Sequence, residues 1–304
     1  MKPYLADPAR CRAVLNAWNF TFRKKFGQNF LIREQVLLDT VEAAGITKDD
    51  FVLEIGPGIG TLTQYLADAA GRVLAVEIDR SLLPILKETL SGWDNVEVRN
   101  EDILNTDLRR IAEEENGGRP FKVAANLPYY ITTPILTALF ESGAPIESVT
   151  VMVQKEVAER IVCGPGSKAY GALSLAMQYY TEPELMFTVP PEAFMPRPNV
   201  ESAVLRLAVW QDRPVKAQDE GFLFEVIRAS FNQRRKKLVN GLMNFGEFHT
   251  GEGDKRTAFR ISREMAEAAL VKTGLSGSVR GETLTLQQFA ALSDALLAER
   301  ENGI

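Results

Sequence analysis

Between Asp50 and Val153, short apolar runs alternate with helical patterns of about ten residues, and this alternation restricts the fold more than any other feature. Residues 51–55 read as a strand ending in Gly56-Pro-Gly-Ile-Gly60, and residues 61–70 as the helix that follows. Residues 72–77 form a second strand. Residues 81–90 form a helix, with Ser81 as its N-cap and Pro84 in its first turn. Further strands are expected at 96–99, 121–125 and 148–153, with an acidic, Gly-rich loop at 113–118 and a helix at 134–142. Short strands separated by helices imply a parallel sheet covered on both faces. Ligands of such sheets bind beyond the carboxyl ends of the strands, where the strand order reverses.

After Lys168 the pattern changes. Residues 185–189 and 202–209 read as antiparallel strands around a proline-rich loop, 190–198, and residues 212–214 as a linker. Helical patterns then occupy 222–244, 262–272 and 286–299. The expected organisation is an N-terminal extension of no assigned role (1–20), an α/β domain (21–210) and a smaller all-α domain (211–304).

With only Cys11 and Cys163, far apart, and one histidine, His249, the chain has neither a disulfide framework nor a four-ligand zinc set. No apolar run approaches the ~20 residues of a membrane helix. Arg10 and Arg12 interrupt the first apolar stretch, unlike a leader peptide. A cytoplasmic, metal-free, monomeric protein with no membrane association is expected. The net charge of −5 hides an asymmetry. Residues 1–35 carry seven Lys/Arg against two acids, and residues 225–240 carry five against one. Removing these two segments, +5 and +4, leaves −14 for the rest. An acidic body with two basic segments can meet a polyanion through one face, because local charge sets the potential a phosphate feels.

The glycine turn has the spacing G-x-G-x-G, unlike the G-x-G-x-x-G of dinucleotide binders. Glu54 precedes it, where a carboxylate opposes a pyrophosphate but suits a cationic ligand. Gly56 and Gly58 let a ligand approach the backbone, and the helix behind offers free N–H groups. Glu77 ends the second strand about 20 residues further on, placed to accept both hydroxyls of a ribose. Asp102 follows the third strand, placed to accept from the exocyclic amine of an adenine. Ile78 and Leu104 are positioned to sandwich that base, and Ile103 joins Asp102 in the same set. This pattern resembles the class I S-adenosylmethionine-dependent methyltransferases, which implies S-adenosyl-L-methionine as cofactor and a Rossmann-like domain.

Asn126-Leu-Pro-Tyr129 directly follows the fourth strand. An adenine N6 lone pair is delocalised into the ring and is a poor nucleophile. If the Asn126 side-chain oxygen and the Leu127 carbonyl accept its two hydrogens, the nitrogen can pyramidalise toward a methyl donor. Pro128 stiffens the turn, and Tyr129 offers a face on which an extruded base can stack. The element resembles the [DNS]-P-P-[YF] motif of amino-methyltransferases. In the form N-[LI]-P-Y it is that of the ribosomal RNA adenine N6-dimethyltransferase family.

Further segments carry the same resemblance. Lys25-Phe-Gly-Gln-Asn-Phe-Leu31 is similar to that family's K-x-x-G-Q-x-F-L signature, which implies that Gln28, Asn29 and Leu31 close over the cofactor along with Asn126. Phe194-Met-Pro-Arg-Pro-Asn-Val-Glu-Ser202 resembles its F-x-P-x-P-x-V-x-S loop, which implies that Phe194 covers the second face of the target base. Arg280-x-Glu282-x-Leu284 with Phe289 resembles the end of its C-terminal domain. The resemblance runs from about Phe22 to Leu292. Within the family it is nearest the branch that dimethylates two adjacent adenosines in the 3′-terminal hairpin loop of 16S rRNA, in the small (30S) ribosomal subunit or its precursor. The macrolide-resistance branch, acting on 23S rRNA, shares the Gln-Asn-Phe and Asn-Leu-Pro-Tyr elements. An RNA partner assigns phosphate contacts to Arg23, Lys24, Lys25, Arg197, Arg234, Arg235, Lys236 and Lys237, the last four spread around a helix.

Overall fold

The computed structural model describes residues 4–23, 27–251 and 256–301. The chain divides into two compact units, Met1–Ala158 with Pro183–Val209, and Glu159–Glu182 with Trp210–Ile304.

The first unit opens with α1 (Pro8–Ala17), capped by the Asp7 carboxylate on the N–H groups of Ala9 and Arg10. The segment read from sequence as an extension of no assigned role contributes to the core. Leu5, Cys11 and Leu15 are buried with Ile59 of the glycine loop and with Leu82, Ile85 and Leu86. Each such leucine contributes roughly 1.5–3 kcal/mol. A two-residue strand, β1 (Phe30–Leu31), and α2 (Glu34–Ala43) follow.

The central elements are β2 (Phe51–Ile55), α3 (Thr61–Ala69), β3 (Arg72–Val76), α4 (Leu83–Thr89), β4 (Val96–Arg99), α5 (Leu108–Asn116), β5 (Phe121–Asn126), α6 (Thr132–Glu141) and β6 (Ile146–Gln154). The expected strands are all present. Strands β2 to β6 pair in parallel; the chain continues through β7 (Thr181–Val189), the two-residue β8 (Phe194–Met195) and β9 (Ser202–Val209), and the seven-stranded sheet has the order β4-β3-β2-β5-β6-β9-β7. The two added strands are β7 and β9, and β9 runs antiparallel to β6. The chain runs outward from β2 to β4 and then returns to β5 on the other side, so the order reverses between β2 and β5. Helix α5 replaces the loop expected at 113–118. Its charged run Glu113-Glu-Glu115 hides a face of Leu108, Ile111 and Ala112, and Asp107 and a left-handed Gly117 cap its ends.

Segment 159–182, expected in the α/β domain, belongs to the second unit. Here lie the end of α7 (Lys155–Val162), then α8 (Ala172–Tyr180), α9 (Glu220–Asn232), α10 (Leu238–Met243), α11 (Arg263–Lys272) and α12 (Leu286–Glu301). The small strands β10 (Phe248–Thr250) and β11 (Thr257–Phe259) form a hairpin that the all-α expectation lacked. The Tyr170 hydroxyl donates to the Leu284 carbonyl (2.9 Å), and Phe222, Phe248 and Phe289 are fully buried. Among the described residues, no helix is long and apolar enough to cross a membrane.

Candidate active site

An open cavity lies at the carboxyl ends of β2, β3 and β5, where the strand order reverses. Its lining brings together Gln28, Asn29, Leu31, Glu54, Gly56, Gly58, Glu77, Ile78, Asp102, Ile103, Asn126, Leu127 and Tyr129. These residues span a hundred positions of sequence. The parallel sheet aligns the strand ends that carry them.

Gly58 sits at φ +62°, and a Cβ there would lie 2.7 Å from the Phe30 ring, so only glycine lets the loop pass under β1. The Gly58 N–H donates to Glu77 Oε2 (3.1 Å), and the Asp79 N–H donates to Oε1 (2.7 Å). Burial pushes the Glu77 carboxyl up to about 7, against the pull of these donors. Glu54, 1% exposed, is pushed up to about 8, mainly by burial, with Thr63 partly offsetting it and Glu77 adding to it. Its Oε2 has no hydrogen-bond partner among the described residues. A buried carboxylate oxygen without a donor is costly, and a cationic ligand in the cavity relieves that cost. S-Adenosyl-L-methionine, with its ammonium and sulfonium charges, fits this donor-poor acidic wall.

Asp102 accepts from the Leu104 N–H and the Asn105 amide, both at 3.0 Å, which fixes its carboxylate at the cavity edge. Ile78 is half exposed and lines the cavity opposite no Leu104. That residue lines an adjoining groove with Leu108 and not the cavity, whereas Ile103 lines both, so Ile103, not Leu104, accompanies Ile78. The short 3-10 turn at Ile103–Asn105 turns consecutive side chains to different sides.

On the acceptor side, the Asn126 Nδ2 donates to the Asn29 carbonyl (2.9 Å), which leaves Oδ1 as the free acceptor. The Tyr129 hydroxyl bonds Ser202 Oγ at 2.7 Å, joining the Asn-Leu-Pro-Tyr turn to the end of the Phe194–Ser202 motif. Phe194 does not line the cavity. It is 3% exposed, pairs in β8 (Phe194–Met195) with Leu31, and packs in the core with Val204 and Met152.

Sequence reasoning missed Asp79 and Tyr130. Asp79 is buried and accepts from Gln28 Nε2 (2.9 Å) and Arg23 (3.2 Å), and Tyr130 is the most exposed aromatic ring in the cavity wall. The signal for Asp79 was the cap pattern Asp79-Arg-Ser81, whose N–H and hydroxyl it accepts.

The expected phosphate contacts divide. Arg23 is paired with Asp79, Arg197 with Glu192 (2.5 Å), and Arg234 with Glu282 (2.9 Å) and the Ser167 carbonyl (3.0 Å). Arg235, Lys236 and Lys237 are exposed, in a turn between α9 and α10 rather than around one continuous helix. Lys24 and Lys25 lie outside the described residues.

The reversed strand order, the glycine turn and the carboxylates at successive strand ends define a Rossmann-like methyltransferase. The profile of the "Ribosomal RNA adenine dimethylase" family matches residues 19–274, and the chain belongs to that family. It is 57% identical over 96% of its length, and 98% of the relative's, to ribosomal RNA small subunit methyltransferase A of Lachnoclostridium phytofermentans. It is 50% identical to the protein of that name from Streptococcus gordonii, over 97% and 99% of the two chains. Among solved structures, the 23S rRNA methyltransferase ErmE is similar with a TM-score of 0.65 and 28% identity, over 88% of this chain and 99% of that one. A dimethyladenosine transferase from Plasmodium falciparum shares the fold, with a TM-score of 0.71 and 23% identity over 90% and 98%.

Proposed function

We propose that this enzyme transfers methyl groups from S-adenosyl-L-methionine to N6 of two adjacent adenosines in the 3′-terminal hairpin loop of 16S rRNA, two per base, during maturation of the small subunit. The observation that carries the reading is the meeting, in one cavity, of the Asn126-Leu-Pro-Tyr129 turn with the glycine loop and Glu77. The named small-subunit relatives support the choice of 16S rRNA.

Glu77 holds the cofactor ribose, Asp102 the adenine amine, Ile78 and Ile103 the base faces, and Glu54 the cationic end. Gln28, Asn29 and Leu31 cover it. When bound, the cofactor supplies an electrophilic methyl group on a sulfonium. The base must leave its loop to enter the cavity, and Tyr129, held by Ser202, stacks it. Asn126 Oδ1 and the Leu127 carbonyl accept the N6 hydrogens, so the nitrogen lone pair turns out of conjugation toward the donor. No general base is needed beforehand, because the N6 proton becomes acidic only after methylation. Arg235, Lys236 and Lys237 meet phosphates of the rRNA helix, each adding salt-dependent affinity.

Incubation with tritiated cofactor and immature 30S particles, followed by nucleoside analysis, tests the reading. Labelled dimethyladenosine in 16S rRNA is expected. Label on 23S rRNA in a parallel incubation with large-subunit precursors, and none on 30S particles, would refute the reading in favour of the macrolide-resistance activity. Binding without label would make it an assembly factor.

A further inference from the structure

Asp79 takes no part in the mechanism above, yet its side chain is only 1% exposed and its carboxylate gathers four side-chain or backbone donors. The two oxygens divide the work. Oδ1 accepts from the Ser81 N–H (3.1 Å) and hydroxyl (2.7 Å), closing the local turn, and from Arg23 (3.2 Å). Oδ2 accepts from Gln28 Nε2 at 2.9 Å, across 51 residues of sequence. A carboxylate needed only to cap the turn has no use for the second link. Burial works against ionisation here, but the Ser81, Gln28 and Arg23 donors outweigh it and hold the carboxyl below the ordinary aspartate range.

Gln28 sits between two residues that touch the acceptor side of the cavity. Gly27 lies against the Tyr130 ring, where a Cβ would be 3.3 Å from the nearest ring atom. The Asn29 carbonyl accepts from the Asn126 amide, and the Asn29 side chain donates back to the Gly27 carbonyl (3.1 Å). The Asp79 N–H meanwhile donates to Glu77 Oε1. One residue thus touches the cofactor cradle and the segment that orients Asn126.

We propose that Asp79 is a positioning residue for methyl transfer: through Gln28 it fastens the Gly27–Leu31 segment over the cavity, so that the Asn29 carbonyl holds the Asn126 amide with its oxygen toward the target nitrogen. The role presupposes the methyl-transfer reaction proposed above. Released from Asp79, the segment loses its hold on Asn126, and the amide samples the flipped orientation that presents a donor where an acceptor is required.

The test is Asp79→Asn in the full-length enzyme. Asparagine caps a turn about as well as aspartate, so Oδ1 and the Ser81 contacts survive while Gln28 faces an amide donor instead of an acceptor. Losing a hydrogen bond to a charged group corresponds to a tenfold to hundredfold effect, so kcat on immature 30S particles should fall by roughly that factor. The dissociation constant for S-adenosylhomocysteine should rise by a smaller factor than kcat falls, because the released segment also covers the cofactor while Glu77 keeps its main-chain donor, and the melting temperature should change by a few degrees at most. Amide hydrogen exchange at residues 28–31 should accelerate. The double variant Asp79→Asn/Gln28→Glu restores a donor–acceptor pair with the roles exchanged, and should recover exchange protection at residues 28–31. Unchanged kcat in Asp79→Asn, unchanged exchange, or faster exchange that the double variant leaves in place would overturn the proposal. Wild-type enzyme that labels no 16S rRNA would refute the reaction instead, while the exchange measurement still decides whether Asp79 fastens the segment.

Discussion

Gly58→Ala isolates the closest packing in the cradle, the passage of the glycine loop beneath Phe30. Two costs are expected. A left-handed φ of +62° costs an alanine roughly 1–2 kcal/mol. The new methyl would also lie 2.7 and 2.9 Å from two Phe30 ring atoms, an overpacking worth about 1–3 kcal/mol. Together these predict about 2–5 kcal/mol, which lowers the melting temperature of a domain this size by roughly 5–15 °C. Gly56→Ala is the control. Its φ is +67°, but a Cβ there meets nothing within 4 Å, so it should show the backbone cost alone. Scanning calorimetry on both variants, and on Gly58→Ala/Phe30→Leu, separates the contributions. Gly58→Ala should be the less stable of the two, and Phe30→Leu should return part of the difference. If the two alanines destabilised the protein equally, contact with Phe30 would not be the reason for glycine at 58.

Other perturbations read the chemistry. Asn126→Ala should abolish methyl transfer while affinity for S-adenosylhomocysteine by titration calorimetry stays near wild type; parallel loss of both would mean that Asn126 is structural. Glu77→Ala should weaken that affinity by at least tenfold, and an unchanged value would remove the ribose assignment. Replacing Arg235, Lys236 and Lys237 by Gln should reduce the slope of log affinity for 30S particles against log salt by about 2–3. Arg234→Gln should chiefly lower stability, because it breaks the Glu282 and Ser167 contacts. For Glu54, the folded carboxyl titrates near 8 and the unfolded one near 4.5, so between these values the folded protein keeps a proton that the unfolded chain has released. The cofactor-free melting temperature should therefore fall as pH rises from 5 to 8, and Glu54→Gln should reduce that dependence, above all between 7 and 8 where the raised Glu77 carboxyl contributes least; identical profiles would remove Glu54 as a cause.

The alternation of apolar runs determined the parallel strands of the sheet, because each short buried strand must be nearly all apolar and each covering helix must carry one apolar face. Local chemistry also placed Glu54, Glu77, Asp102 and Asn126 at strand ends, since glycine, proline and acids mark where a strand stops. What the sequence obscured were faces that charge conceals, as in α5, and breaks that helical periodicity does not report, as between α9 and α10. Tertiary structure alone decided which partners meet. Gln28 finds Asp79 and Asn29 finds Asn126 only because the sheet returns through β5 beside β2 and the β1 segment crosses above both. It also turned Phe194 into the core and spent Arg23, Arg197 and Arg234 on carboxylates. A side chain's identity fixes what it can bond, but the competition among distant groups for that bond is settled only once the chain has folded.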